Sequence, residues 1–221
     1  MIDLTVHIGA DPRQPLAYTV CASSILRHSR SRIAVEPIGL YPWIEGFSRR
    51  GLTSFTFARY LCPSVRNYYG YSIFLDGDII VRSDIHDLLD VIDLEAPVSV
   101  AKHVARFEWP SVMVFNNAKC KVLTKEWVDN PRSNPQKLEW AEKVGELPKE
   151  WNHCVGYEPH REDAKLIHYT AGLPCWPETE NCPHAEKWKE ELWHSVRTVS
   201  WNELMGNSVH TEIVKKWAKT G

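Results

Sequence analysis

The sequence predicts an α/β fold, a mainly parallel sheet flanked by helices, and three observations lead there. The first stretch of the chain runs strand, turn, helix, strand, which is the start of a βαβ unit. Short apolar runs rich in Ile, Val and Phe recur further along and read as buried strands. Several of these runs finish in polar residues, as strands do where a sheet opens into a site. At 221 residues the chain fits one domain with a small appendage.

Residues 4–8 form a short apolar strand that stops at Gly9, and Ala10-Asp-Pro-Arg13 follows as a turn. Residues 16–28 have helical spacing, and 33–40 are a second strand. Residues 53–61 look helical, with Pro63 ending or kinking the helix. Residues 71–81 are predicted to be one continuous buried strand. Ser83 or Asp84 then caps a helix that runs to about residue 91. Two more strands follow, 97–101 ending in Lys102-His103 and 111–115 ending in Asn116-Asn117. Residues 121–128 and 137–144 are expected to be helical, 147–152 a turn, and 165–169 a last strand with His168 near its end. Residues 184–196 read as an amphipathic helix. Residues 201–220 have helical composition and weak capping, consistent with a C-terminal helix, an interface or a membrane-surface tail.

The chemistry is concentrated in the strand at 71–81. Asp76 and Asp78 sit inside an apolar run with Gly77 between them. Burying a carboxylate costs several kcal/mol unless it is paired or bound to metal, and these two repel each other as well. Oxygens at i and i+2 around a glycine suit a hard divalent ion such as Mg²⁺ or Mn²⁺. Arg59, just upstream, can reach the carboxylates or a phosphate. His7, Ile8 and Gly9 lie at the carboxyl end of the first strand, where ligands of such sheets bind, and Gly9 leaves room for a nucleotide to approach the backbone. There is no GxGxxG and no GxxxxGK[ST], which argues against a dinucleotide site and a P-loop.

Composition excludes other classes. A net charge of −2 gives no electrostatic basis for nucleic-acid binding. No window approaches a membrane span, although peripheral membrane contact stays open. The N-terminus lacks the pattern of a signal peptide, and the six cysteines have no CxxC spacing, so free thiols in a cytoplasmic protein are expected. Cys175, Cys182 and His184 are a candidate zinc set whose spacing fits no standard pattern. Nine of the ten tryptophans lie after residue 100; they are expected mostly to fill core, with stacking platforms as the alternative.

Five segments taken in order resemble the GT-A glycosyltransferases, in particular glycosyltransferase family 8. They are Phe57-Ala-Arg59, Leu75-Asp-Gly-Asp78, Val112-Met-Val-Phe-Asn116, Leu147-Pro-Lys-Glu-Trp-Asn152 and His168-Tyr-Thr-Ala-Gly-Leu-Pro-Cys-Trp176. An Asp-x-Asp alone would be weak; the ordered set is far more specific. The resemblance implies a GT-A, Rossmann-like catalytic domain over 1–183, with 184–221 as a helical extension. It implies a metal-dependent hexosyltransferase that moves sugar from a nucleoside diphosphate sugar, expected to be a UDP-sugar, to a hydroxyl of a saccharide or glycan acceptor with retention. Asp76 and Asp78 would hold the divalent metal and His168 would be the third ligand. An imidazole beside two carboxylates favours Mn²⁺ over Ca²⁺. Backbone at His7, Ile8 and Gly9 and at Gly77 would meet the nucleotide, Arg59 would lie near nucleotide or donor sugar, and Gly172 would let the late loop approach the phosphates. Glu142, Asn116 and Asn152 are candidates for stabilising a cationic donor centre.

The sequence also departs from the family. Pro174 stands where a phosphate-neutralising Lys is usual, with Lys102 or Arg13 as candidate substitutes, and Trp109-Pro-Ser111 replaces Asn-Ala-Gly before the interior strand. Ala10-Asp11 replaces the usual Asp and Asn after the first strand. The rival readings are a nucleotidyltransferase or nucleotide-sugar hydrolase using the same metal, and a nucleotide-sugar binding protein without turnover.

Overall fold

The computed structural model describes residues 3–39, 46–103, 106–196, 205 and 208–218. Among the described residues, nine strands form two sheets. β1 (Leu4–Gly9), β2 (Ala34–Ile38), β3 (Tyr71–Leu75), β5 (Val98–Val100), β6 (Val112–Asn116) and β7 (Val144–Glu146) make a six-stranded sheet in the order β2-β1-β3-β6-β5-β7. β6 alone runs antiparallel to its neighbours; the other pairings are parallel. β4 (Ile79–Val81), β8 (His153–Cys154) and β9 (Leu166–His168) make a small second sheet in the order β4-β9-β8.

The run 71–81 is therefore not one strand. It breaks at Asp76-Gly77-Asp78, and its halves belong to different sheets. Gly77 makes the crossing possible, because a Cβ there would sit 2.7 Å from the Gly9 carbonyl oxygen.

Strand alternation fills both faces of the large sheet. Ile73 and Leu75 of β3, with Val112 and Val114 of β6, join a core containing Cys21 and Ile25 of helix α1 (Pro15–His28). Phe74, Met113 and Phe115 point the other way, into a core with Phe55, Tyr60 and Leu61. Pro15 opens α1 at a position where the missing N–H costs nothing. Trp188 and Leu192 of helix α4 (Ala185–Ser195) bury against Leu16, Ala17 and Val20 of α1, so the C-terminal region packs on the first helix. Helix α5 (Thr211–Ala218) adds Val214 to that core. Trp151 and Trp188 are fully buried packing residues, whereas Trp193 is exposed. Among the described residues no helix is long and apolar enough to cross a membrane.

Several expected helices are shorter or tighter. Residues 53–61 form turns and a 3-10 segment, Ala58–Leu61; Pro63 then lies in the first turn of short helix α2 (Cys62–Val65) and ends nothing. Asp84 caps a 3-10 segment, Ile85–Asp90, by accepting from the His86 N–H. Helix α3 is confined to Lys125–Asp129, capped by Thr124. The expected helix at 137–144 is a turn leading into β7. Parts of the strand expected at 33–40 and of the helix expected at 201–220 lie outside the described residues.

Candidate metal and nucleotide site

The break in the chain between β3 and β4 builds the site. Ile8 pairs with Leu75, so Gly9 and Asp76 leave the sheet side by side. The Asp76 N–H donates to the Ser111 carbonyl at 2.9 Å. Ile79 pairs with His168, and the Tyr169 N–H donates to the Asp78 carbonyl at 3.1 Å. This register brings a residue far along the chain beside the two aspartates. Ligand atoms of Asp76, Asp78 and His168 all lie within 4.8 Å of one another. His168 Nε2 is 3.2 Å from Asp78 Oδ1.

The electrostatics are those of a crowded anionic corner. Burial pushes the Asp76 carboxyl up to about 6, against the pull of Arg59 and with a further push from Asp78. Arg59 Nη1 lies 3.0 Å from Asp76 Oδ1, but it is aimed at the Pro110 carbonyl, to which it donates at 2.9 Å. Asp76 Oδ1 is thus ion-paired in distance yet has no hydrogen bond. Burial alone would lower the His168 pKa; the facing Asp78 carboxylate outweighs it and holds it well above the usual histidine value.

The far side of the His168 ring fixes its orientation. Its Nδ1 is 3.2 Å from Asn152 Oδ1. An amide oxygen only accepts, so Nδ1 carries the proton and Nε2 faces the aspartates. Asn152 is itself locked, donating through Nδ2 to Ser111 Oγ at 3.0 Å and to the Glu108 carbonyl at 3.3 Å. A histidine oriented by a carbonyl on its outer nitrogen, next to two carboxylates of which one has an unbonded buried oxygen, fits a divalent transition-metal ion.

Beside this corner opens a cleft of about 380 Å³, lined by Gly9, Asp11, Phe55, Arg59, Gly77 and Gln136 among others. A Cβ on Gly9 would meet the Phe55 ring at 2.6 Å, so the strand end stays bare backbone. The first turn of α1 contributes Gln14 and Ala17 to the wall. That turn carries no acidic residue, leaving its N–H dipoles available to an anion. A second cavity of about 370 Å³ is lined by His103, Glu108, Lys149, Cys154, Tyr157 and Glu158. Glu108 Oε2 is 3.6 Å from His168 Nδ1, so the His168 ring stands between the two.

The other expected site residues fall in different places. The His7 ring is buried, without a hydrogen-bond partner and pulled down to about 3 by burial and Arg66, and Ile8 is core; only backbone at this strand end nears the cleft. Gly172 closes the turn after β9 at φ +126°, which favours glycine, and it is not among the cleft's lining residues. Asn116 and Glu142 are not brought to the cluster. Asn116 pairs with Tyr71, the first residue of β3, because β6 runs antiparallel and delivers its end to the opposite edge of the sheet. Glu142 is exposed just before β7, at that same distant edge. Pro174 is buried, Lys102 pairs with Glu146, and Arg13 is tied to Asp11. Arg59 is the cation among the cleft's lining residues. Cys175, Cys182 and His184 do not converge among the described residues. Sequence reading missed Asp11, Glu108 and Cys154 as site neighbours. Asp11 sits directly after the first strand and could have been found there; Glu108 and Cys154 carry no local signal.

No family model matches the chain. It is 29% identical over 222 residues to Protein CDI of Arabidopsis thaliana, a match covering 85% of each chain. Among solved structures it superposes on the WbbM bifunctional glycosyltransferase with a TM-score of 0.70 at 16% identity, covering 97% of this chain and 52% of that one. The chain therefore spans about half the length of that protein. The galactosyltransferase LgtC, solved with donor and acceptor sugar analogs, gives a TM-score of 0.59 at 12% identity, over 86% of this chain and 95% of that one. At these identities the shared property is the fold, and this chain has the GT-A fold of those glycosyltransferases.

Proposed function

We propose that the protein is a metal-dependent glycosyltransferase that moves a hexose from a nucleoside diphosphate sugar, a UDP-sugar in the simplest case, to a hydroxyl of a saccharide or glycan acceptor. The observation that carries this is the convergence of Asp76, Asp78 and His168 at the edge of a cleft floored by backbone. Those three residues would hold Mn²⁺ or Mg²⁺. When bound, such an ion supplies positive charge that stabilises a leaving diphosphate.

The remaining work falls to the chain itself. The α1 N-terminus and Arg59 face the cleft with positive charge, which suits a diphosphate where Pro174 stands in place of a lysine. Bare backbone at Gly9 and Gly77 admits a nucleotide. Asn152 holds His168 in the tautomer that presents Nε2. In the reaction the bond from the anomeric carbon to the phosphate oxygen breaks and the acceptor oxygen takes its place. The acceptor proton leaves with the nucleoside diphosphate. The second cavity, with Glu108 and Glu158 in its wall, is suited to a hydroxyl-rich acceptor.

Thermal-shift measurements with UDP-, GDP- and CMP-sugars, with and without Mn²⁺, test the reading. Stabilisation by one intact nucleotide sugar only when Mn²⁺ is present is expected, with nucleoside diphosphate released on adding acceptor. Pyrophosphate or monophosphate release without acceptor would assign the site to a nucleotidyltransferase or hydrolase instead.

A further inference from the structure

A second group of metal-ligating side chains lies away from the cleft, where the loop after β8 meets the start of α4. His184 immediately precedes α4 in the left-handed region, at φ 63°, and is 3% exposed. Neither of its ring nitrogens has a hydrogen-bond partner. A buried polar group left unpaired costs on the order of 1–3 kcal/mol, and a left-handed non-glycine residue costs about as much again. His153, the first residue of β8, is 1% exposed and likewise has two unpartnered ring nitrogens. Its ring meets that of His184 edge-on at 5.5 Å, and the exposed His160 ring stacks on His184 at 4.3 Å. Three imidazoles gathered in one place, with His184 buried and unpartnered and His153 facing only Glu158 Oε2 at 3.7 Å, are an unfavourable arrangement unless something binds them.

We propose that His160, Glu162 and His184 form a binding site for a Zn²⁺-like transition-metal ion. Their ligand atoms lie within 4.8 Å of one another, and His160 Nε2 is 2.6 Å from Glu162 Oε1. Two imidazoles and a carboxylate are a Zn²⁺ donor set, with water completing a tetrahedron. Lys187 holds the other Glu162 oxygen at 3.2 Å, which orients the carboxylate, and a bound ion would replace the direct contact between Glu162 Oε1 and His160 Nε2. The ion would clip the loop at 157–163 to the head of α4, a closure that binding energy makes part of folding energy. His184 thus enters a metal set with His160 and Glu162, not with the cysteines beside it in sequence.

The test uses the full chain stripped of metal by a chelator. Adding Zn²⁺ alone is expected to raise the melting temperature by several degrees with one equivalent bound at this site. His160→Ala and Glu162→Gln change exposed side chains, so the fold survives, and each should weaken Zn²⁺ binding roughly tenfold or more. Co²⁺ in place of Zn²⁺ should give the visible bands of a nitrogen-and-oxygen site without thiolate charge transfer. Unchanged Zn²⁺ affinity in the His160→Ala/Glu162→Gln double variant overturns the proposal. A thiolate–Co²⁺ band that accounts for all the bound ion and persists in that double variant also overturns it, by placing the ion at Cys154 beside His168 and Glu108.

Discussion

Asp76 is the residue on which the electrostatics of the cleft turn. Its carboxyl is held up near 6 by burial, above its ordinary value, so its contribution to stability is present at low pH and is lost as pH rises through about 6. Without metal, Asp76→Asn should therefore gain stability relative to the unaltered protein between about pH 4 and pH 7, by on the order of 2–3 kcal/mol. Melting curves across that range check it, and saturating Mn²⁺ should reverse the order. Arg59 offsets part of the same cost, with its guanidinium 4.7 Å from the Phe74 ring. Arg59→Ala removes the cation from a buried pair and is expected to cost about 3 kcal/mol in denaturant unfolding. Asn152→Ala should weaken Mn²⁺ binding by about 10- to 100-fold, since Asn152 orients His168, and should also cost stability through its lost bonds to Ser111 and Glu108. The two aspartates and His168 were legible in the sequence. The role of Asn152 was not: the amide was read as facing the donor, and its partners come from strands distant in sequence.

At the scale of elements, the decisive feature is the jump of the chain from one sheet to the other at Gly77. Gly77→Ala drives a Cβ toward the Gly9 carbonyl, a fixed backbone atom. It should lower both the melting temperature and Mn²⁺ affinity, whereas a surface alanine substitution would change neither. The apolar run around it was readable as strand, but the break was not, because apolar residues resume directly after Asp76-Gly77-Asp78, from Ile79 to Val81. Strand direction was equally hidden. A polar residue ending an apolar run marks a site only when the strand points there, and β6 points away, taking Asn116 with it. The second joint between elements is Glu191 of α4, fully buried and accepting from Arg27 Nη2 at 2.6 Å, His28 Nε2 at 3.0 Å and Arg82 Nη1 at 2.9 Å. Burial pushes its carboxyl up, yet the bonds from His28 and Arg27 prevail and hold it at about 2. The stability it contributes is thus present above its ordinary value and is lost as pH falls toward 2. Glu191→Gln should cost about 3 kcal/mol at neutral pH and flatten acid unfolding between about pH 4.5 and 2.

For the whole molecule, the opening βαβ pattern and the apolar runs were enough to identify an α/β sheet covered on both faces. β7 and β8 escaped notice because Val144-Gly-Glu146 and His153-Cys154 lack the apolar run that marked the similarly short β5 and β9. The expectation of a helix at 137–144 failed for the same reason, and it carried Glu142 with it to the wrong edge of the sheet. What the fold accomplishes is the meeting of two sheets at one point, where Asp76, Asp78 and His168, nearly a hundred positions apart in the chain, converge beside a backbone-lined cleft. Isothermal titration of UDP into the protein, with and without Mn²⁺, tests this most directly. UDP is expected to bind when Mn²⁺ is present, and Asp78→Asn to abolish this binding while keeping the native melting profile. UDP binding that is equally tight without the ion, or unchanged in Asp78→Asn, would contradict it.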